Sequence, residues 1–126
     1  MRMADRIRKA GGYRWVGIYA VGREEISVIG WSGPSAPAHP RFPKHRGLCG
    51  AAAESGSTVV VEDVTKDPRY LTTFGSTRSE IVVPVKRAGG EVVGLVDVES
   101  ECVDAFSVED RRLLENYASE VARLWP

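Results

Sequence analysis

Between Ser79 and Glu99 the chain reads SEIVVPVKRAGGEVVGLVDVE, two valine-rich runs separated by a glycine pair. Runs of this length around Gly89-Gly90 spell a β-hairpin, because glycine takes the positive φ of a tight turn without strain. Strand side chains alternate between faces, so numbering parity decides which residues are companions. In the first strand Glu80, Val82 and Pro84 share one face, and Ile81, Val83 and Val85 the other. In the second, Val93, Leu95, Asp97 and Glu99 oppose Val92, Gly94, Val96 and Val98. A two-residue or a four-residue loop pairs even positions with odd ones, and either puts Glu80, Asp97 and Glu99 on the same face. Carboxylates gathered on an apolar face raise one another's pKa and call for a cation, a hydrogen-bond donor or open water. A position at strand ends near the surface would satisfy them blandly, and for Glu99, last in its strand, that reading stands level. For Glu80 with Asp97 a binding site is the favoured reading.

The 126 residues make one domain, spanning 1–126, with room for a single core. Lys plus Arg and Asp plus Glu balance at 17 each, which argues against a dedicated binder of nucleic acid or anionic membrane. No apolar run approaches a bilayer span, and the first residues, MRMADRIRKAGG, lack a signal-peptide core. The expectation is a soluble protein of the cytoplasm, where Cys49 and Cys102 do not form a disulfide scaffold.

Residues 2–10 read as a short helix ended by Gly11-Gly12, in need of something to pack on. Tyr13 to Val21 reads as a strand with Trp15, Gly17 and Tyr19 on one face, the glycine leaving a gap walled by rings. Simple core packing of the two rings is the alternative. Glu25 to Trp31 is a second strand, and residues 32–46, with four prolines, are loop. Residues 47–55, GLCGAAAES, suggest a helix closed by Gly56, followed by a strand at Thr58 to Val61 and a second irregular stretch. Ser107 and Asp110 mark the start of the clearest helix, with Leu114, Tyr117, Val121 and Leu124 as its apolar stripe. The fold class is α+β, an antiparallel sheet of five to six strands with terminal helices on one face and a loop-covered pocket on the other.

The succession WVGIY, GLCGAAA, VVVEDV, RSEIVVPV, VVGLVDVES and FSVEDRRLLE resembles a GAF domain, and more narrowly the stand-alone free methionine-(R)-sulfoxide reductases. That resemblance implies a pocket in which Trp15 and Tyr19 form an aromatic wall and Glu80, Asp97 and Glu99 grip an ammonium group. Glu99 stands where the family has a second aspartate. The resemblance also places the attacking cysteine at Thr73, whose hydroxyl is a far weaker nucleophile. Cys49 matches the cysteine of the family's G-x-C-G motif, and the third cysteine position holds His39. The motifs of cyclic-nucleotide and bilin-carrying GAF domains are not found.

Cys49 lies near the start of its helix, between glycines that leave it accessible, and the helix N-terminus is expected to lower its pKa. It reads as a nucleophile, a redox sensor or a small buried wall residue, and Cys102 as outside the site. His39, His45 and Cys49 match no compact zinc spacing, so no metal and no cofactor are expected. The leading expectation is a binding module for a small molecule with an amino group, methionine sulfoxide or a related amino acid. The first alternative is a reductase using Cys49, with thioredoxin as partner. The second is a dimerisation module with a vestigial pocket. A homodimer paired through the terminal helices is expected, the first helix being short enough to need a partner.

Overall fold

Valine, isoleucine and aromatic runs punctuated by glycine become strands, and the alanine-rich and Ser-capped stretches become helices. The computed structural model describes residues 2–126. In chain order these form α1 (Met3–Gly11), β1 (Trp15–Val21), β2 (Glu25–Ser32), β3 (Arg41–Pro43), α2 (Gly47–Ser55), β4 (Val59–Val61), a 3₁₀ turn (Val64–Lys66), β5 (Ser79–Lys86), β6 (Val92–Ser100) and α3 (Val108–Leu124). The strands make one six-stranded sheet in the order β3-β2-β1-β6-β5-β4, with every neighbouring pair antiparallel.

The β5–β6 hairpin forms, but its loop is neither of the two expected lengths. Arg87 N–H donates to the Glu91 carbonyl at 2.9 Å and Gly90 N–H to the Arg87 carbonyl at 2.8 Å, which leaves Ala88, Gly89 and Gly90 as the loop. Only Gly90 of the pair needs positive φ, at 92°. A three-residue loop with unbroken pairing would set Glu80 opposite Val98 and separate it from the other acids. Instead Lys86 lies opposite Val92 while Val85 lies opposite Gly94, so Val93 is an extra residue absorbed in a bulge. Beyond it Glu80 faces Glu99, and Val82 faces Asp97. The bulge also corrects the assignment of faces at its own position. Val93 packs with the helix-side core, and Val92 with the opposite side.

The two faces carry different chemistry. On one, Val16, Ile18, Ile81, Val83, Val85, Val96 and Val98 meet Ala4 and Ile7 of α1 and Leu114, Ala118 and Val121 of α3. The capping box at the start of α3 forms as the sequence specified, with the Ser107 hydroxyl and the Asp110 carboxylate each taking up the other's backbone N–H. Leu124, expected on the buried stripe, is 69% exposed at the last residue of the helix, where it borders an open apolar hollow. On the other face Trp15, Tyr19, Val82 and Leu95 meet Leu48, Cys49 and Ala52 of α2, with Phe42, Val61 and Val64 around them. The loop of residues 32–46 contains an edge strand that the sequence reading lacked. Arg41 to Pro43 pairs with Glu25 to Ser27, and proline is tolerated at an edge, where its missing N–H breaks no ladder.

Candidate functional site

Register across the middle of the sheet builds the site in two rows. Trp15 lies opposite Glu99, which in turn lies opposite Glu80; one step along, Gly17 lies opposite Asp97, and Asp97 opposite Val82. All three acids are buried, none more than 4% exposed. None has an ion pair among the described residues. Arg69 is spent on Asp67, 2.7 Å away, and Arg78 donates to the carbonyls of Gly75 and Thr77.

What the acids do have is hydroxyl groups and one another. Glu99 Oε1 accepts from Thr77 Oγ1 at 2.9 Å and from the Tyr70 hydroxyl at 3.3 Å. Asp97 Oδ1 and Glu99 Oε2 meet no donor as long as the carboxyls are ionised. A proton kept on Glu80 or Glu99, which burial favours, would give Asp97 the donor it lacks. Burial pushes all three acids up. In Glu80 the charges of Asp97 and Glu99 add to burial. In Asp97 hydrogen bonds from Glu80 and Glu99 oppose it. Glu99 is pushed up to about 9 by burial and then by the Asp97 charge, against the Thr77 hydrogen bond.

Cys49, in the first turn of α2, shares this environment. Its Sγ and one oxygen each of Glu80 and Asp97 lie within 4.8 Å of one another. The expected accessible, acidified thiol is corrected by the structure. Cys49 is buried, and desolvation first, then the charges of Asp97, Glu80 and Glu99, push its thiol well above the ordinary range. Burial, with three acid neighbours adding to it, outweighs the end of a nine-residue helix. His45 and Cys49 do not join His39 in a ligand group; the cluster with metal-ligating spacing is Cys49, Glu80 and Asp97. Cys102 is exposed and outside the site.

The gap expected over Gly17 is filled by the rings beside it. A Cβ there would come within 2.4 Å of the Trp15 ring and 2.9 Å of the Tyr19 ring. Trp15 is held by both long loops, its indole N–H donating to the Ser35 carbonyl at 3.0 Å and its ring meeting Phe74 edge-on at 5.2 Å. The remaining space is two small cavities. One, of about 20 Å³, is lined by Tyr19, His39, Cys49, Thr73, Glu80 and Asp97 among others. The second, of about 100 Å³, lies beside Trp15, Phe74, Thr77 and Glu99. The anticipated residues therefore gather at one place, Trp15 and Glu99 on one side and the other five on the other. Larger hollows exist elsewhere: an apolar one of about 500 Å³ against α1 and α3, and open ones of about 680 and 460 Å³ whose charged lining residues are of both signs and face solvent. Tyr70, Phe74 and Thr77 are the site residues that sequence reasoning missed. They lie in an irregular stretch, and only their contacts reveal them.

Residues 1–124 match the family model of the GAF domain. The chain belongs to that family. Among characterised proteins it is similar to the free methionine-R-sulfoxide reductase of Saccharomyces cerevisiae, 34% identical over 107 residues that cover 82% of this chain and 58% of the yeast protein. Its fold superposes on that of a type II free methionine-R-sulfoxide reductase from Thermoplasma acidophilum with a TM-score of 0.90, at 34% identity, over 96% of this chain and 85% of that one. The reductase from Neisseria meningitidis, solved in complex with its substrate, gives a TM-score of 0.85 at 35% identity, over 95% of this chain and 71% of that one. This chain thus spans little more than half the length of the yeast relative.

Proposed function

We propose that this chain binds free methionine sulfoxide and reduces it through Cys49. The observation that carries the reading is the meeting of the Cys49 thiol with Glu80 and Asp97 at the wall of a cavity, in a chain similar to reductases of that substrate. The acids offer a place for the ammonium group, and Trp15 and Tyr19 an apolar wall. An ammonium entering among them cancels the negative charge that helps to hold the thiol up, leaving desolvation as the cause that remains.

Cys49 sulfur attacks the sulfoxide sulfur while a protonated carboxyl of the row passes its proton to the sulfoxide oxygen. The thiol proton replaces the one the carboxyl gave up. The sulfoxide S–O bond breaks as the oxygen passes to the Cys49 sulfur, the transient S–S bond breaks with it, the thioether leaves, and Cys49 is left as a sulfenic acid. The sulfoxide is reduced and the cysteine oxidised. Two thiols of an external reductant, thioredoxin or dithiothreitol, restore Cys49 and leave a disulfide and water.

A second reading, the amino-acid sensor, is favoured by a specific observation. No second thiol lies in the site, and Thr73 stands where the resemblance places the attacking cysteine. Incubating each sulfoxide epimer with the chain and dithiothreitol separates the two. Loss of the R epimer, abolished by Cys49→Ala while calorimetric affinity stays within a few-fold, supports the reductase. Binding without turnover supports the sensor, and neither binding nor turnover rejects the ligand class. In either case Asp97→Asn should weaken binding by at least about tenfold, roughly 1.4 kcal/mol.

A further inference from the structure

Thiol and carboxylate donors rarely converge in a dry interior without a partner for them. We infer that Cys49, Glu80 and Asp97 form a site for a thiophilic divalent cation, zinc above all, with a fourth position open to the small cavity. Zinc takes sulfur at about 2.3 Å and carboxylate oxygen at about 2.0–2.2 Å, so tetrahedral ligands stand roughly 3.3–3.6 Å apart. The three donor atoms already lie within 4.8 Å of one another. Drawing them in takes about 1 Å per pair, which small side-chain torsions supply without moving a strand.

A second observation points to the same guest. Asp97, 2% exposed, has an oxygen, Oδ1, with no donor other than a neighbouring acid's proton. A cation is the other group that satisfies it. Glu99 is differently placed: Thr77 and Tyr70 occupy its Oε1, and its Oε2, though also without a donor, is not among the three clustered donor atoms. It sits beside the proposed ligands as their orienting neighbour. The cavity of about 20 Å³ suits a single water as fourth ligand, and His39 lies in its wall. Magnesium and calcium are disfavoured, because they want six or more oxygen ligands and gain nothing from a thiol. On binding, the Cys49 proton and those shared in the acid row leave to solvent, so that thiolate and carboxylates face the ion.

The metal site rests on these donors alone. Only one corollary leans on the function proposed above, namely that zinc and an amino-acid ammonium compete for the same acids. The test therefore uses metal without any amino acid. The full chain is titrated with zinc chloride against a chromogenic chelator, and separately with cobalt chloride while the near-ultraviolet and visible spectrum is followed. The expected result is one ion per chain, a thiolate-to-cobalt charge-transfer band and the visible bands of a tetrahedral ion. Cys49→Ser and Cys49→Ala should each remove the charge-transfer band, and Asp97→Asn should weaken zinc at least about tenfold, with folding of each variant checked by its melting curve. Cys102→Ala should leave both readouts unchanged. Absence of stoichiometric uptake, a band that survives Cys49→Ser, or a band that follows Cys102 overturns the site. A failure to bind or reduce methionine sulfoxide bears on the preceding proposal and leaves this one standing.

Discussion

Glu99 shows how a single side chain ties stability to pH. Its carboxyl is pushed up to about 9 in the fold, against an ordinary value of 4.5, so between those limits the native chain holds a proton that the unfolded chain has given up. The stabilisation is complete below the ordinary carboxylate range and is lost as pH rises through about 9. The melting temperature is therefore expected to fall from about pH 6 to about pH 9, and a rise across that window would reject the assignment. Glu99→Gln keeps an acceptor for Thr77 and Tyr70 while removing the charge. It should flatten the slope and add about 1–3 kcal/mol at pH 8, read as a higher melting temperature. Gly17 makes a steric counterpart. In Gly17→Ala the new methyl meets the edges of the Trp15 and Tyr19 rings, each of which borders a small cavity and can yield. The cost should sit at the lower end of about 1–3 kcal/mol, with a shift in tryptophan emission as the second readout.

At the scale of elements, Gly94 is the harder constraint. A methyl there would come within 2.5 Å of the Trp125 ring and 2.8 Å of the Tyr19 carbonyl oxygen. The ring follows the last turn of α3 and is a side chain, but the carbonyl is part of the ladder and has nowhere to go. Gly94→Ala should cost the upper end of about 1–3 kcal/mol by denaturant melts, more than Gly17→Ala. These elements were unequally legible. The helix of residues 47–55 was read to the residue, because Gly56 and the β-branched run after it leave no doubt where it stops. Alternation put Trp15 with Tyr19, and Glu80 with Asp97 and Glu99, before any contact was known. The grouping of the acids came out right although the loop was misjudged, since the bulge at Val93 makes up the missing residue. The strand at Arg41–Pro43 was invisible, its pairing being a matter of distant partners in a proline-rich stretch. Cys49 was misjudged for the same kind of reason. Local helix geometry predicts a low pKa, and burial, reinforced by carboxylates from two remote strands, reverses it.

The molecule as a whole is asymmetric about its sheet. The helix side is apolar but for Ser32 and Ser79, each hydrogen-bonded, whereas the loop side buries three acids and a thiol. The two cavities beside the acids hold about 20 and 100 Å³, against the roughly 300 Å³ at which small-molecule pockets begin. The proposed amino acid needs more room than either cavity gives, so the covering loops, including the Ser35 and Phe74 segments held to Trp15, would have to move for it. Association should therefore be slow, below about 10⁵ M⁻¹s⁻¹, and should level off at high ligand concentration where opening limits it. Stopped-flow tryptophan fluorescence with methionine sulfoxide reads this directly. Phe74→Ala should speed association while weakening affinity, and an unchanged rate would show that this contact is not the latch.

The bulge at Val93 has one more outcome. It lies between the exposed turn at Ala88–Gly90 and the acids further along the ladder, and it already reconciles an odd-length loop with their shared face. That tip is the place to graft a reporter or a tether onto this scaffold while its working face keeps its alignment.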